Sequence, residues 1–346
     1  MKHRKSITLI TVFLLALSLS GNSALYAQER AGTSASPQLQ IPLGGQYLDG
    51  SGAAADVNGI AGVLWNPAGL DAGSDDTDIL AMFTRREHLA DIGVNLFALG
   101  LRFDRFGTVA FQVRNFDIGD IEETDEFNSG GTGGTFSPTF FTVGGTYGLE
   151  MTDRIRVGVT SNVTYESFAD ISATSVTFDA GVQYATFLGV EDLNIGASVR
   201  NIGTDMTYNG SGLLQQARSR GANRPSTQFG TVAADAEVPT VVDLSAKYRV
   251  WRGLHVAATF TENTFKASQV HGQLSYNFRD LLIVRGAYSQ VTEDRGDLTS
   301  PFEERPSFGG TLDLESALGL DVAFDYAFVP TEFFDNNHIL SLRANF

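Results

Sequence analysis

The chain has 346 residues, of which 42% are hydrophobic and only 18% charged, with 37 glycines, 25 phenylalanines and no cysteine. Its 40 acidic and 24 basic residues give a formal charge of −16, and its mean hydropathy is −0.04. This hydropathy excludes a bundle of membrane-spanning helices, because each would need about 20 consecutive apolar residues. The acidic balance argues against nucleic-acid binding, and the lack of cysteine excludes disulfides and thiolate metal sites. The remaining composition is typical of a β protein.

Residues 1–27 have the pattern of a secretory signal peptide. The basic start MKHRK precedes an apolar stretch at residues 7–19, and the small side chain of Ala27 suits cleavage before Gln28. That stretch is short for a membrane span, so we predict a cleaved signal rather than an N-terminal anchor. Removing it leaves 21 basic and 40 acidic residues, a net charge of −19. We therefore expect an exported protein.

Residues 28–77 predict a small plug segment. The stretch GSGAAADVNGIAGVLWNPAGL, residues 50–70, is rich in small residues and reads as a short helix followed by a turn. Asn66 precedes Pro67, and a proline ring disfavours helical backbone at the residue before it. Pro67 and Gly69 therefore predict a turn, with the Asn66 amide capping nearby backbone. A gating or ligand-binding role is the alternative interpretation.

Residues 78–346 alternate between apolar and polar side chains with a period of two, which indicates strands. In VVDLSAKYRV, for example, Val242 and Leu244 fall opposite Asp243 and Ser245. About fourteen such segments begin near residues 78, 91, 107, 137, 154, 173, 192, 239, 253, 269, 280, 307, 319 and 337. Most are about 10–15 residues long, which exceeds the mode of ~5–6 for strands in soluble domains. The length suits tilted membrane strands; a soluble β-sandwich is the alternative.

The connections between these segments alternate in length. Turns such as 104–106 and 251–252 are brief, whereas segments such as 119–136 and 205–238 are long. Outer-membrane barrels have this asymmetry, with the long loops outside the cell. The last strand ends the chain on Phe346, which is typical of barrels assembled into Gram-negative outer membranes. We predict an all-β, roughly 14-stranded antiparallel transmembrane β-barrel at residues 78–346 in that membrane.

The sequence contains no catalytic or metal-binding motif. G-x-S-x-G, P-loop, H-E-x-x-H and EF-hand patterns are all absent, so we expect no enzyme activity, no cofactor and no metal site. His255 and His271 are expected to face the lumen, as polar lining rather than as a metal pair. Charged residues expected to fill the lumen are Asp179, Asp243, Asp313, Asp321, Asp325, Arg154, Arg156, Arg200, Lys247, Arg249 and Arg285.

Two predicted outer loops carry charge. The acidic IEETDEF, residues 121–127, is interpreted as a solvated loop, with cation binding as the alternative. Residues 205–235 contain the only basic patch expected to be exposed, which consists of Arg218, Arg220 and Arg224. This segment is interpreted as a disordered loop, with contact to an anionic partner or surface as the alternative.

Trp65, Asn66, Pro67, Ala68 and Gly69 resemble the NPAG signature of FadL-like barrels and of the PorV/PorQ family of type IX secretion. AGTSASPQLQIPLGG, RNIGTDMTY and the ending DYAFVP to NHILSLRANF are also similar to PorV/PorQ sequences, so the resemblance covers nearly all of the mature chain. It departs at PLGGQYLDGSGAAAD, where relatives carry a more basic version.

The resemblance implies a non-enzymatic outer-membrane barrel that acts in type IX protein secretion and surface attachment. Its partners would be secreted cargo, translocon or attachment-complex proteins, and outer-membrane lipid. Trp65 to Gly69 would be binding-motif residues, and the loop with Arg218, Arg220 and Arg224 a partner contact.

The alternative is a FadL-like channel for hydrophobic small molecules with the plug as a gate. A general porin is disfavoured, because we expect Phe97, Leu99 and Leu101 to point inward and obstruct an aqueous pore.

Overall fold

The computed structural model describes residues 32–48, 50–72, 78–88, 92–217, 227–292, 305–315, 319, 321–331 and 335–346. The predicted signal peptide lies outside the described residues. So do Arg218, Arg220 and Arg224, whose role as a partner contact stays a prediction.

Fourteen antiparallel strands form one closed barrel, as predicted. The strands are β1 (Ile79–Glu87), β2 (Gly93–Arg102), β3 (Thr108–Asp117), β4 (Thr139–Thr152), β5 (Ile155–Phe168), β6 (Ile171–Tyr184), β7 (Leu193–Gly203), β8 (Val241–Trp251), β9 (Leu254–Asn263), β10 (Gln269–Phe278), β11 (Leu282–Val291), β12 (Arg305–Asp313), β13 (Val322–Val329) and β14 (Asn337–Asn345). Each strand pairs with the next, and β14 pairs with β1. No strand edge is left open, which a sheet in lipid requires.

The period-two pattern divides each strand between lipid and lumen. Leu244 of β8 is exposed on the outer face, whereas Asp243 and Ser245 beside it are buried inside. The same division recurs at Phe324 and Asp325 of β13. An apolar outer face with a polar interior is the arrangement of a membrane barrel.

Strand β2 corrects one prediction. Phe97, Leu99 and Leu101 point outward, not into the lumen, and each is more than 40% exposed. The inward residues are Leu96 and Ala98, which are buried against the plug. Because β2 is apolar on both faces, alternation of polarity could not identify its inner side. The lumen is nevertheless apolar here.

The two ends of the barrel differ in the length of their loops. The connection between β8 and β9 is a tight turn, whereas residues 118–138, 204–217 and 227–240 belong to long loops at the opposite end. Each long loop contains a short hairpin, Ile121–Glu122 with Thr135–Phe136 and Leu214–Ala217 with Thr227–Gly230. In an outer-membrane barrel the long loops lie outside the cell, so we name this end extracellular and the opposite end periplasmic.

Residues 33–48 and 50–72 lie inside the barrel as a plug. The plug is a series of one-turn helices at Pro37–Gln40, Ala53–Asp56, Gly59–Ala61, Gly62–Trp65 and Pro67–Gly69. At the extracellular end the Ala35 N–H donates to the Glu237 carbonyl at 2.9 Å. At the periplasmic end the Asp71 carboxylate accepts from Thr108 Oγ1 at 2.5 Å and from the Glu150 N–H at 2.8 Å. None of the described helices is long and apolar enough to cross a membrane.

Candidate functional site

Asn66 connects the plug to the barrel wall. Its side chain is fully buried, and Oδ1 accepts from the Ala68 N–H at 3.0 Å, so Asn66 caps the short helix Pro67–Gly69 as predicted. The amide nitrogen donates to the Ala54 carbonyl at 2.7 Å, and to the carbonyls of Val182 and Ala197 at 3.2 and 3.3 Å. The last two belong to β6 and β7. The motif therefore makes wall contacts that its local sequence did not predict.

A row of glycines in the wall accommodates this motif. Gly148, Gly158 and Gly181 are paired neighbours on β4, β5 and β6. A Cβ atom at Gly158 would lie 2.3 Å from the Pro67 carbonyl carbon, and one at Gly181 only 1.8 Å from Asn66 Oδ1. Since glycine alone permits such close approach of backbone, the row is a seat for the plug.

Trp65 forms part of the floor of a cavity above this seat. It is buried, and its ring lies 6.4 Å from that of Tyr47 in an edge-to-face arrangement. The Arg200 guanidinium lies 5.6 Å from the Trp65 ring centroid and donates to Asp243 Oδ2 at 2.7 Å. The ion pair holds Arg200 in place, and the cation–π contact of Arg200 attaches this plug residue to β7.

The cavity occupies the extracellular half of the lumen and has a volume of about 510 Å³, within the ~300–1,000 Å³ typical of small-molecule sites. It lies between plug residues 37–43 and the inner faces of several strands. Its apolar lining includes Leu39, Ile41, Leu43, Leu64, Phe116 and Phe140. A hydrophobic molecule of moderate size would therefore find apolar surface on both the plug side and the wall side.

The same cavity has an excess of positive charge. Its cationic lining residues are Arg86, Arg114, Arg200, Lys266 and Arg305, and Asp243 is the one carboxylate among the described residues of its lining. Asp243 is already occupied, since it accepts from Arg200 and from Thr261 Oγ1. His88 follows β1 at the mouth, where burial and then the charge of Arg86 lower the pKa of its imidazole to about 4. His88 is therefore neutral at physiological pH.

Sequence reasoning missed Arg86 and Arg114. Both lie in register with inward polar residues, Arg86 two positions after Thr84 and Arg114 two positions after Gln112. That alternation could have identified them as lumen residues. The neighbouring β2 is apolar on both faces and gives no such signal.

The predicted lumen charges are partly paired. Lys247 pairs with Asp56 of the plug, and Arg343, which the sequence reading omitted, binds Asp325 through two hydrogen bonds. Asp179 differs, because it accepts from Asn162 Nδ2 and from the Asn201 N–H rather than from a cation. Most of these groups tie strands to one another or to the plug.

The two lumen histidines do not form a pair. Thr259 of β9 faces His271 of β10, so His255 lies four residues away along the sheet, a separation of about 13 Å. His271 Nδ1 instead shares a hydrogen bond with Ser289 Oγ at 2.8 Å. Within the described part of the chain, no three His, Cys, Asp or Glu side chains could jointly hold a metal ion.

One carboxylate of the acidic loop, that of Asp125, is hydrogen-bonded within the loop itself. Asp125 Oδ1 accepts from the N–H groups of Phe127 and Asn128 at 2.8 and 2.7 Å, and from the Asn128 side chain at 3.0 Å. These bonds close a local turn. The loop lies outside the lumen, and nothing in this geometry directs it toward the cavity.

No family model and no curated protein sequence matches the chain. Solved structures match in fold. The CymD monoaromatic hydrocarbon channel has a TM-score of 0.55 at 13% identity, over 92% of this chain and 99% of that one. The toluene transporter TodX of Pseudomonas putida gives 0.55 at 12%, and TbuX of Ralstonia pickettii 0.53 at 11%, each over 88% of this chain and 99% of the other. The chain shares their fold.

Proposed function

We propose that the protein is an outer-membrane channel for hydrophobic small molecules. The observation that carries this proposal is the cavity of about 510 Å³, which has apolar walls and lies above the plug of a closed barrel. The fold shared with hydrocarbon channels supports it. This function agrees with the alternative from the sequence rather than with the secretion role implied by the PorV/PorQ resemblance.

The outer membrane of a Gram-negative bacterium is the proposed location. The apolar outer face, the loop asymmetry and the signal-peptide pattern of residues 1–27 all support it. An outer-membrane barrel needs export and a lipid-facing surface without open strand edges, and the chain provides for both.

In this proposal the cavity collects the solute from the extracellular side and the plug controls its passage. The NPAG part of the plug is seated on β4, β5 and β6, so its movement would break the Asn66 bonds and expose the glycine row. Residues 37–43 instead form the opposite wall of the cavity. Passage would therefore require displacement of this segment rather than of the NPAG motif.

Uptake of radiolabelled toluene by cells that do or do not produce the barrel would test the proposal. Ile41→Asp places a charge in the apolar lining and is expected to reduce uptake to near the barrel-free level. Val232→Asp alters an exposed outer-loop position, 90% accessible, and should leave uptake unchanged. Equal uptake with and without the barrel would contradict the channel function.

A role in type IX secretion is the second candidate, and it is supported by the sequence resemblance. Secreted cargo and attachment-complex proteins would then bind the outer loops. Deletion of the gene would leave cargo with a C-terminal signal domain in the periplasm. Normal surface cargo in the deletion strain would contradict this role and leave the channel function in place.

A further inference from the structure

Arg86 on β1 is a buried cation without a counter-charge. It is 2% exposed and lines the cavity. Its Nη1 donates to the Pro42 carbonyl at 2.8 Å, while its Nε has no hydrogen-bond partner. In the described chain no carboxylate lies within ion-pair distance of it. A buried charge in this state is unfavourable unless an anion compensates it.

Arg114 on β3 is a second cation on the inner face, half-buried rather than fully buried. It also lines the cavity, and among the residues that the structure describes its guanidinium makes no hydrogen bond and no ion pair. Asp179 attracts it at longer range, but that carboxylate is occupied by Asn162 and Asn201.

Each arginine also faces a second positive charge. Arg305 repels Arg86, and Arg200 repels Arg114. An anion bound between the members of either pair would replace this repulsion with two attractions. Arginine suits that purpose, because its planar fork donates two parallel hydrogen bonds to a carboxylate.

The two cationic points are separated by apolar surface. Arg86 and Phe116 both face Val94 of β2, and Arg114 lies two residues from Phe116 on β3. From the spacing of strands and residues, the Cα atoms of Arg86 and Arg114 are about 12 Å apart. Phe116 lines the cavity between them. The lining thus has charge at two points and hydrocarbon in between.

We propose that the cavity binds an amphiphile with two acidic groups joined by an apolar body, one group at Arg86 and the other at Arg114. The inference rests on the proposed channel function and narrows its substrate class. A neutral hydrocarbon would leave the positive charges of both guanidinium groups without a counter-charge. A molecule with one acidic group would neutralise only one of them.

The test compares three probes of equal chain length on the purified barrel in detergent: dodecanedioate, its monomethyl ester and its dimethyl ester. Isothermal titration calorimetry at pH 7.5 measures their affinities. Because a hydrogen bond to a charged group contributes ~1.5–3 kcal/mol, each acidic group is expected to increase affinity by about ten- to a hundredfold. The order should be diacid, monoester, diester.

Two substitutions test whether Arg86 and Arg114 bind the acidic groups of the ligand. Arg86→Gln and Arg114→Gln should each weaken diacid binding by about ten- to a hundredfold, to the level of the monoester, and the double variant should remove the preference for the diacid. Arg85→Gln is the matched control, since Arg85 is the adjacent β1 residue on the exposed outer face. Arg86→Lys and Arg114→Lys retain the charge and should keep part of the preference if either glutamine variant fails to fold.

The possible results test the two-point site separately from the proposed channel function. A diacid that binds no tighter than its monoester overturns the two-point site but leaves the channel in place. Failure of all three probes to bind, together with barrel-independent toluene uptake, overturns the channel function as well. A diacid preference that survives the double variant overturns the assignment to Arg86 and Arg114.

Discussion

The side chain of Asn66 and the backbone of Gly181 are in direct contact: a Cβ atom at residue 181 would lie 1.8 Å from Asn66 Oδ1. Asn66 also donates to the carbonyl of Val182, the next residue of β6. Plug and wall therefore depend on each other at this point, since the asparagine needs a glycine opposite it. The NPAG motif therefore supplies one side of this contact, and the glycine on β6 supplies the other.

Gly181→Ala should lower the stability of the folded barrel. The added methyl group meets Asn66 Oδ1 and Cγ, and overpacking of this kind costs about 1–3 kcal/mol. The temperature of the shift in heat-modifiable gel migration measures the effect. Gly145→Ala in β4 is the control, because no atom lies within 4 Å of that Cβ. An equal effect of the two substitutions would contradict the seating of the plug.

Asn66→Asp should destabilise the protein at least as much as Asn66→Ala. Aspartate is as good a helix cap as asparagine, so the Ala68 N–H would keep its acceptor. However, the substitution removes the donated hydrogen bonds and places a buried carboxylate against the carbonyls of Ala54 and Val182. Urea unfolding midpoints of both variants in detergent measure the difference. A nearly native midpoint for Asn66→Asp would show that the cap alone matters.

Trp65 should report on ligand binding. The chain has two tryptophans, and Trp251 is 72% exposed whereas Trp65 is buried in the cavity floor. In a Trp251→Phe background, emission should therefore lie at short wavelength and change when a hydrophobic probe is added. Trp65→Phe leaves Trp251 as the reporter, and its emission should not respond to the probe. A response from Trp251 instead would place binding outside the cavity.

His88 should remain neutral down to about pH 4. Burial and repulsion from Arg86 lower its pKa to about 4, compared with ~6.5 in an unfolded chain. Between these values the unfolded state binds a proton that the folded state does not. This group therefore contributes stability above pH 6.5 that is lost as the pH falls toward 4.

The histidine prediction is checked by NMR titration of the imidazole and by comparison with His88→Gln. Unfolding midpoints of the native protein should decrease more between pH 6.5 and 4 than those of the variant, which has no proton to bind there. An imidazole that titrates near 6.5 would contradict the prediction.

Much of the barrel could be predicted because alternating polarity along a strand identifies its two faces from the local sequence. Asp243 beside Leu244 and Asp325 beside Phe324 assign lumen and lipid without knowledge of the neighbours. Where this contrast is missing the prediction fails, as at Phe97, Leu99 and Leu101 of β2. The capping role of Asn66 was predictable for a similar reason, since it involves residues two positions apart.

The cavity could not be predicted in this way. Arg86 and Arg114 interact with Arg305 and Arg200, which are far away in the sequence. That neither Arg86 nor Arg114 has a counter-charge among the described residues is therefore visible only in three dimensions. The sequence places both acids and bases in the lumen without indicating their positions relative to one another, and the fold distributes them unevenly. Most lumen carboxylates bind plug or wall, and the cavity retains the surplus of arginine.

By itself, the sequence determined the class of the protein: a fourteen-stranded barrel with an apolar outer face, preceded by a segment that does not alternate. Period-two polarity and loop length are local properties, and local properties can be read along a chain. The tertiary structure decided that Gly148, Gly158 and Gly181 form one row beneath Asn66 and Pro67. It also decided that two arginines line an apolar cavity without a carboxylate partner in the described part of the chain. These features depend on strand register and on the path of the plug, which bring together residues far apart in the sequence.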